Sequence, residues 1–169
     1  MEKKLVVRRA REIIAEQKQH PDPVSLWMNG LWNENEIHCL FADTNIGKSI
    51  LAVQIARDIT EKLHKSVIYF DFELSDKQFQ LRYTSDNGEH VYPFHDSFMR
   101  ASYNAKNTED AQITEQDIID IVTESESSII IIDNLISLES DSTDGMKAAQ
   151  LMKMFMRLKI KYGLSILVI

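Results

Sequence analysis

Four short apolar runs, separated by segments with helical spacing of apolar residues, constrain the fold of this 169-residue chain most strongly. The runs are Ile37–Phe41, Val67–Phe72, Ile129–Ile132 and Leu164–Ile169. Each run has strand length and is apolar at nearly every position, so both faces of each strand must be buried. Strands of this kind that alternate with helices form a mainly parallel sheet with helices on both faces. The sequence therefore predicts an α/β fold.

The N-terminal segment differs from the rest of the chain. Residues 6–19 place apolar side chains at helical spacing with arginines on the other faces, which predicts an amphipathic helix. We take residues 1–22 as this helix and a linker, and residues 23–169 as one core domain. The first part of that core, Pro23–Glu34, is predicted to be a loop or a short turn.

Two further helices have recognisable starts. Ser75–Gln78 fits a capping box, and Thr114–Asp117 resembles another N-cap. Between them, Phe98–Tyr103 is predicted to be an edge strand.

The segment between the first apolar run and the next helix reads Ala-Asp-Thr-Asn-Ile-Gly-Lys-Ser, from Ala42 to Ser49. It has the Walker A spacing, except that Ala42 replaces the first glycine. Backbone N–H groups and a helix N-terminus cradle a polyphosphate in such a loop. Gly47 lets the backbone approach the phosphates, Lys48 reaches the β- and γ-phosphates, and the Ser49 hydroxyl binds Mg²⁺.

We therefore predict a nucleoside triphosphate site, with ATP and Mg²⁺ as its ligands. The predicted nucleotide-binding residues are Asp43, Thr44, Asn45, Ile46, Gly47, Lys48, Ser49 and Ile50. Ala42 would be strained by about 1 kcal/mol or more if its position required a positive φ. It costs little if it lies in the β region, which is the interpretation we favour.

A candidate metal-binding carboxylate ends the third apolar run. Four isoleucines followed by Asp133 match the Walker B pattern, in which the aspartate holds Mg²⁺ directly or through water. Asn134 follows instead of glutamate, so the carboxylate that activates the attacking water must lie elsewhere. Glu73 is the candidate, because it follows the second apolar run at the edge where ligands of open α/β sheets bind. Asp71 is its rival, two residues away on the same face.

Phe70–Ser75 resembles the strand-two signature of RecA-like ATPases, especially the hexameric DnaB/RepA-type replicative helicases and their KaiC-like relatives. Phe41–Ala56 is similar to their Walker A region and Ile129–Asn134 to their Walker B strand. The resemblance covers roughly residues 23–169. It implies an AAA-family P-loop NTPase in which Glu73 positions the attacking water.

The same resemblance implies a sheet ordered 5-1-4-3-2, with Leu164–Ile169 inserted between the Walker A and Walker B strands. In such proteins a polar sensor, DNA-binding loops and an arginine supplied by a neighbouring subunit come after that strand. We therefore expect this chain to be truncated at its C-terminus, and to bind nucleotide but hydrolyse it poorly by itself. The expected partners are further copies in a ring, for example a hexamer, and single-stranded DNA or replication and mobilisation proteins.

The function predicted from these features is Mg²⁺-dependent ATP hydrolysis in a helicase-type motor, with Glu73 and Lys48 as catalytic residues. Two alternatives stay open. The first is an ATP-gated assembly or regulatory module without efficient turnover. The second is a P-loop kinase for a small molecule, which would need an arginine-bearing lid, whereas Leu135–Asp144 contains no arginine.

Composition argues against several other classes. The longest apolar runs are too short to span a membrane, and the basic segment Met1–Arg9 has no apolar stretch long enough for a secretory signal, so we expect neither feature. With a single cysteine, the chain can form no internal disulfide, so we expect a cytoplasmic protein. The net charge of −7 argues against a general nucleic-acid coat protein, although not against a local basic channel.

Overall fold

A computed structural model of the chain describes residues 6–85, 88–103, 113–134 and 145–169, without the side chains of residues 145–148. The helices are α1 (Ala10–Gln17), α2 (Lys48–Lys62), α3 (Asp76–Arg82), α4 (Glu115–Ser125) and α5 (Gly145–Tyr162). The strands are β1 (Ser25–Trp27), β2 (Trp32–Asn33), β3 (Ile37–Cys39), β4 (Val67–Asp71), β5 (Phe98–Ala101), β6 (Ile129–Asp133) and β7 (Ser165–Val168).

The main sheet has five strands in the order β3-β7-β6-β4-β5, and all neighbouring strands are parallel. Strand β7 therefore lies between β3, which precedes the phosphate loop, and β6, which ends at Asp133. This is the insertion that the resemblance to RecA-like ATPases implied. Strand β5 lies at the sheet edge beside β4, which confirms the predicted edge strand. The α/β fold with a parallel sheet is confirmed.

Helices cover both faces of the sheet. On one face, α2 packs against β4 and β6 through Ala52, Ile55 and Ile59. On the other, Ile118 of α4 and Phe155 of α5 belong to a second apolar cluster. The isoleucines of β6 alternate between the two clusters, which is why its apolar run is continuous: Ile129 and Ile131 face α2, and Ile130 and Ile132 face α4 and α5.

The predicted loop Pro23–Glu34 is wrong in part, because β1 and β2 form an antiparallel hairpin there. Met28, Asn29 and Gly30 all have positive φ and close the turn between the two strands. Trp32 is fully buried against the α2 face of the sheet, and its Nε1 donates to the Glu36 carbonyl over 3.3 Å. Burial of that indole is the physical reason for order in this segment.

The N-terminal helix is shorter than predicted, since α1 covers only Ala10–Gln17, and it buries none of its residues. The predicted capping box at Ser75 and the predicted N-cap at Thr114 are both present, and Thr114 also forms a capping box. The Ser75 hydroxyl accepts from the Gln78 N–H over 3.3 Å, and the Thr114 hydroxyl accepts from the Asp117 N–H over 3.2 Å. Among the described residues, no helix is both long and apolar enough to cross a bilayer.

Candidate nucleotide-binding site

The candidate site lies at the edge of the main sheet that is formed by the carboxyl ends of its strands. Strands β3, β4 and β6 run parallel within it, so their carboxyl ends meet at this edge. The phosphate loop follows β3, Glu73 follows β4, and Asp133 ends β6 opposite Asp71 in the register. The topology thus brings together segments as far apart in the sequence as Ala42 and Asp133.

The phosphate loop ends at Gly47, which is the N-cap of α2 and has a φ of 92°. Asn45, two residues earlier, also has a positive φ of 63°. The first N–H groups of α2 have no acceptor within the helix, and Gly47 offers no side chain to accept from them. They therefore provide donors for an anion at the positive end of the helix dipole.

Lys48 lies across this loop. Its Nζ donates to the carbonyl oxygens of Ala42 and Asp43, at 2.7 Å each. Ala42 is not among the described residues that have a positive φ. The departure from the usual glycine therefore carries no left-handed strain, as we expected.

Asp133 is held from two directions. Its side chain is buried, with 5% of the residue exposed, and its Oδ2 accepts from the Tyr69 hydroxyl. Its carbonyl oxygen accepts from the Phe72 N–H over 2.9 Å. Burial, followed by the nearby Asp133 charge, raises the pKa of Tyr69 far above its usual range, so the phenol stays a hydrogen-bond donor.

Glu73 and its rival Asp71 have different surroundings. Glu73 is exposed, and its Oε1 accepts from the Asn134 side-chain amide, so it lies beside the residue that follows Asp133. Asp71 is only 2% exposed, and its Oδ2 accepts from Arg100 Nε over 2.9 Å. Its Oδ1 accepts from the N–H groups of Glu73, at 3.2 Å, and Leu74, at 3.0 Å. Because both Asp71 oxygens are engaged, the geometry favours Glu73 as the group that meets water.

Three side chains at the site were not predicted from the sequence: Tyr69, Arg100 and Asn134. Tyr69 and Arg100 lie opposite each other in the β4–β5 register, and each contacts an aspartate at a strand end. One feature of the sequence indicated Tyr69 as a site residue: it lies two positions before Asp71 and therefore on the same face of the strand. Another indicated Asn134, because it directly follows Asp133, whereas none indicated Arg100, since its contacts depend on strand order.

The donor set fits magnesium. Ser49 and Asp133 would hold the ion through a hydroxyl and a carboxylate, which are the hard oxygen ligands that Mg²⁺ prefers. In the described part of the chain, no group of three or more His, Cys, Asp or Glu residues is placed to bind a metal. The remaining ligands would therefore come from phosphate oxygens and water, as is usual for Mg²⁺ bound together with a nucleotide.

Two comparisons with known proteins bear on this site. A search of curated proteins gave no significant match. A family model described as an AAA domain matches residues 4–169, which include the phosphate loop, Glu73 and Asp133. Because the match covers almost the whole chain, this protein belongs to that AAA domain family of P-loop ATPases.

Proposed function

We propose that this protein binds Mg²⁺-ATP on the loop Ala42–Ser49 and hydrolyses it, with Glu73 as the residue that activates water. The observation that carries the proposal is the hydrogen bond between Glu73 and Asn134. It places an exposed carboxylate next to Asp133, at the sheet edge where the phosphate loop also lies. Membership of the AAA domain family supports the nucleotide as the ligand.

Each residue has a distinct role in this proposal. The α2 N–H groups and Lys48 bind the phosphates, and Ser49 and Asp133 hold Mg²⁺. Bound Mg²⁺ supplies charge neutralisation to the β- and γ-phosphates. Glu73 accepts a proton from the attacking water, while the Asn134 amide orients that carboxylate.

Glu73→Gln tests the proposal. It retains the shape of the side chain but removes its charge, so ATP affinity should stay within about twofold while hydrolysis falls roughly 10²- to 10⁴-fold. Nucleotide titration and single-turnover phosphate release measure the two quantities. Glu124→Gln, an exposed position on α4, is the matched control and should change neither. Hydrolysis by Glu73→Gln at the wild-type rate would exclude this role for Glu73.

The same assay separates the alternatives. An ATP-gated module would bind ATP tightly and show no turnover even in the assembled protein with single-stranded DNA, whereas an ATPase that hydrolyses poorly by itself would be stimulated there. A kinase would transfer phosphate to a small acceptor, through a lid for which Leu135–Asp144 is the candidate segment; that segment lies outside the described residues. The exposed Glu73 carboxylate beside Asn134 supports hydrolysis over both alternatives in this proposal.

We further propose that the ATPase is of the RecA-like, DnaB/RepA- and KaiC-related type and works as a cytoplasmic ring, for example a hexamer, on single-stranded DNA in replication or mobilisation. The position of β7 between β3 and β6 supports the RecA-like type. ATPase assays with and without single-stranded DNA test the DNA part. Stimulation by DNA is the expected result, and equal rates would contradict it.

A further inference from the structure

We propose that Arg100 is a positioning residue for ATP hydrolysis, because it fixes the connection between β4 and α3 that carries Glu73. The proposal rests on the catalytic role proposed for Glu73. Arg100 belongs to the edge strand β5, where its register partner is Tyr69. Its side chain is only 14% exposed and points to the end of β4.

The guanidinium contacts both sides of Glu73 in the sequence. Before it, Nε donates to Asp71 Oδ2 over 2.9 Å. After it, Nη2 donates to the Leu74 carbonyl, and Nη1 donates to Asp76 Oδ1 over 2.6 Å. The Arg100 Cζ atom also lies 4.6 Å from the centre of the Phe79 ring, on α3.

Asp71 links Arg100 to the backbone of Glu73 itself through hydrogen bonds. While one of its oxygens is held by Arg100, the other accepts from the N–H groups of Glu73 and Leu74. The peptide groups next to the Glu73 side chain are therefore fixed by Arg100 directly or through Asp71. From this backbone position the Glu73 carboxylate reaches the Asn134 amide.

These contacts exceed what charge compensation of Asp71 would require. A buried aspartate needs one cationic partner, but Arg100 also donates to a neutral carbonyl and to Asp76, which is 92% exposed. The planar guanidinium has five N–H donors in a fixed fork, and this fork can hold several acceptors at once. Lysine would keep the charge near Asp71 but cannot reproduce the fork.

Arg100→Lys is therefore the informative variant, because it avoids leaving Asp71 buried without a cation. Arg57→Lys is its matched control. Arg57 on α2 also has a carboxylate partner, Glu61 at 2.8 Å, and an aromatic ring, Tyr92, but contacts neither β4 nor α3 in this way. Thermal unfolding of both variants shows whether each is folded at the assay temperature.

The first measurement does not depend on catalysis. Hydrogen exchange of the Glu73 and Leu74 N–H groups, followed by NMR, should be slow in the wild-type protein and about tenfold faster in Arg100→Lys. Arg57→Lys should leave both rates unchanged. Equal exchange in wild type and Arg100→Lys would overturn the positioning role.

The second measurement is single-turnover ATP hydrolysis at equal nucleotide occupancy. Arg100→Lys should lower the rate constant about 10- to 100-fold with ATP affinity within twofold, because a small displacement of Glu73 affects the reaction and not the ground-state contacts. In a Glu73→Gln background the same substitution should have no further effect. A loss of the same size in that background would mean that Arg100 acts on the fold generally, and would overturn the proposal.

The outcomes separate this proposal from the proposed function. If the wild-type protein hydrolyses ATP and Arg100→Lys does so equally fast, the positioning role fails and the ATPase function stands. If the wild-type protein does not hydrolyse ATP but its Glu73 and Leu74 protection depends on Arg100, the ATPase function fails together with the role of Arg100 in hydrolysis, and only the fixing of the Glu73 backbone by Arg100 stands.

Discussion

Lys48 shows how much one side chain can contribute to this site. Lys48 begins α2, and its ammonium group donates to two exposed carbonyl oxygens of the phosphate loop, so Lys48→Ala should leave the fold intact. The loss of a charged contact to phosphate should weaken ATP binding by about 1.5–3 kcal/mol, or roughly 10- to 150-fold. Nucleotide titration and thermal unfolding test both statements. Lys62→Ala, at the end of the same helix, is the control, and unchanged affinity in Lys48→Ala would contradict the phosphate-loop assignment.

Tyr69 allows a test of how Asp133 is held. Tyr69→Phe deletes only the buried hydroxyl that donates to Asp133. The buried Asp133 carboxylate then loses a hydrogen-bond donor, so the free energy of unfolding should fall by about 1–3 kcal/mol. Tyr92→Phe removes a more exposed hydroxyl, bonded to Gln54 over 3.3 Å, and should cost less than about 0.5 kcal/mol. Urea unfolding without nucleotide measures both, and equal effects would mean that the Asp133 contact contributes nothing special.

The sequence predicted individual site residues only where a linear motif carried them. Spacing alone predicted nucleotide binding by the loop from Asp43 to Ile50, and a run of isoleucines predicted metal binding by Asp133; both stay predictions. The choice between Glu73 and Asp71 stayed open, because two carboxylates on one strand face look alike in a sequence. It was the contact of Asp71 with Arg100, a residue twenty-nine positions away, that distinguished them. Such a contact follows from strand pairing, which spacing does not encode.

At the level of elements, the junction between the phosphate loop and α2 depends on the backbone of Gly47. Its φ is 92°, and a Cβ added there would meet nothing within 4 Å. Gly47→Ala should therefore cost about 1–2 kcal/mol of stability through backbone strain alone. The strain should also displace the α2 N–H groups and weaken ATP binding.

Gly163→Ala is the matched control for that element. Gly163 follows α5, has a φ of 66°, and a Cβ there would meet Asn35 Oδ1 only at the ordinary distance of 3.5 Å. We expect a similar loss of stability, measured by urea unfolding, with ATP affinity unchanged. If both variants lost affinity equally, the effect would be one of general stability and not of the loop.

Helices and strands whose own residues form a clear sequence pattern were predicted well, whereas the short strands β1 and β2, which lack such a pattern, were not. The capping boxes at Ser75 and Thr114, and the strands β4 and β6, which are apolar up to their final aspartate, carry their own signals. Strands β1 and β2 are three and two residues long, too short to show an alternating pattern. These two strands form because Trp32 is buried against the rest of the core, which is a tertiary effect.

For the whole molecule, periodicity predicted a parallel sheet but not its strand order. Many orders bury four apolar strands equally well, so the expected insertion of β7 came from resemblance to RecA-like ATPases and not from the pattern of residues. Strand β7 separates β3 from β6, and because all three strands are parallel, the phosphate loop and Asp133 lie at the same carboxyl-end side of the sheet, where ligands of open α/β sheets bind. Strand order thus creates the site from motifs that the sequence shows separately.

The surface beside that site predicts how copies of the chain meet. Phe41, Ile46 and Ile50, on or next to the phosphate loop, are all largely exposed, and Phe41 is 83% exposed. If a neighbouring copy covers the nucleotide, as we propose for a ring, these side chains become buried.

Phe41→Ser should then reduce ATP-dependent self-association about tenfold or more, equivalent to at least about 1.4 kcal/mol, while single-site ATP binding stays intact. Ile160→Ser, at an 82% exposed position on α5, is the control and should not affect association. Sedimentation velocity with and without Mg²⁺-ATP measures the effect, and ATP-dependent assembly that is equal in both variants would place the interface elsewhere.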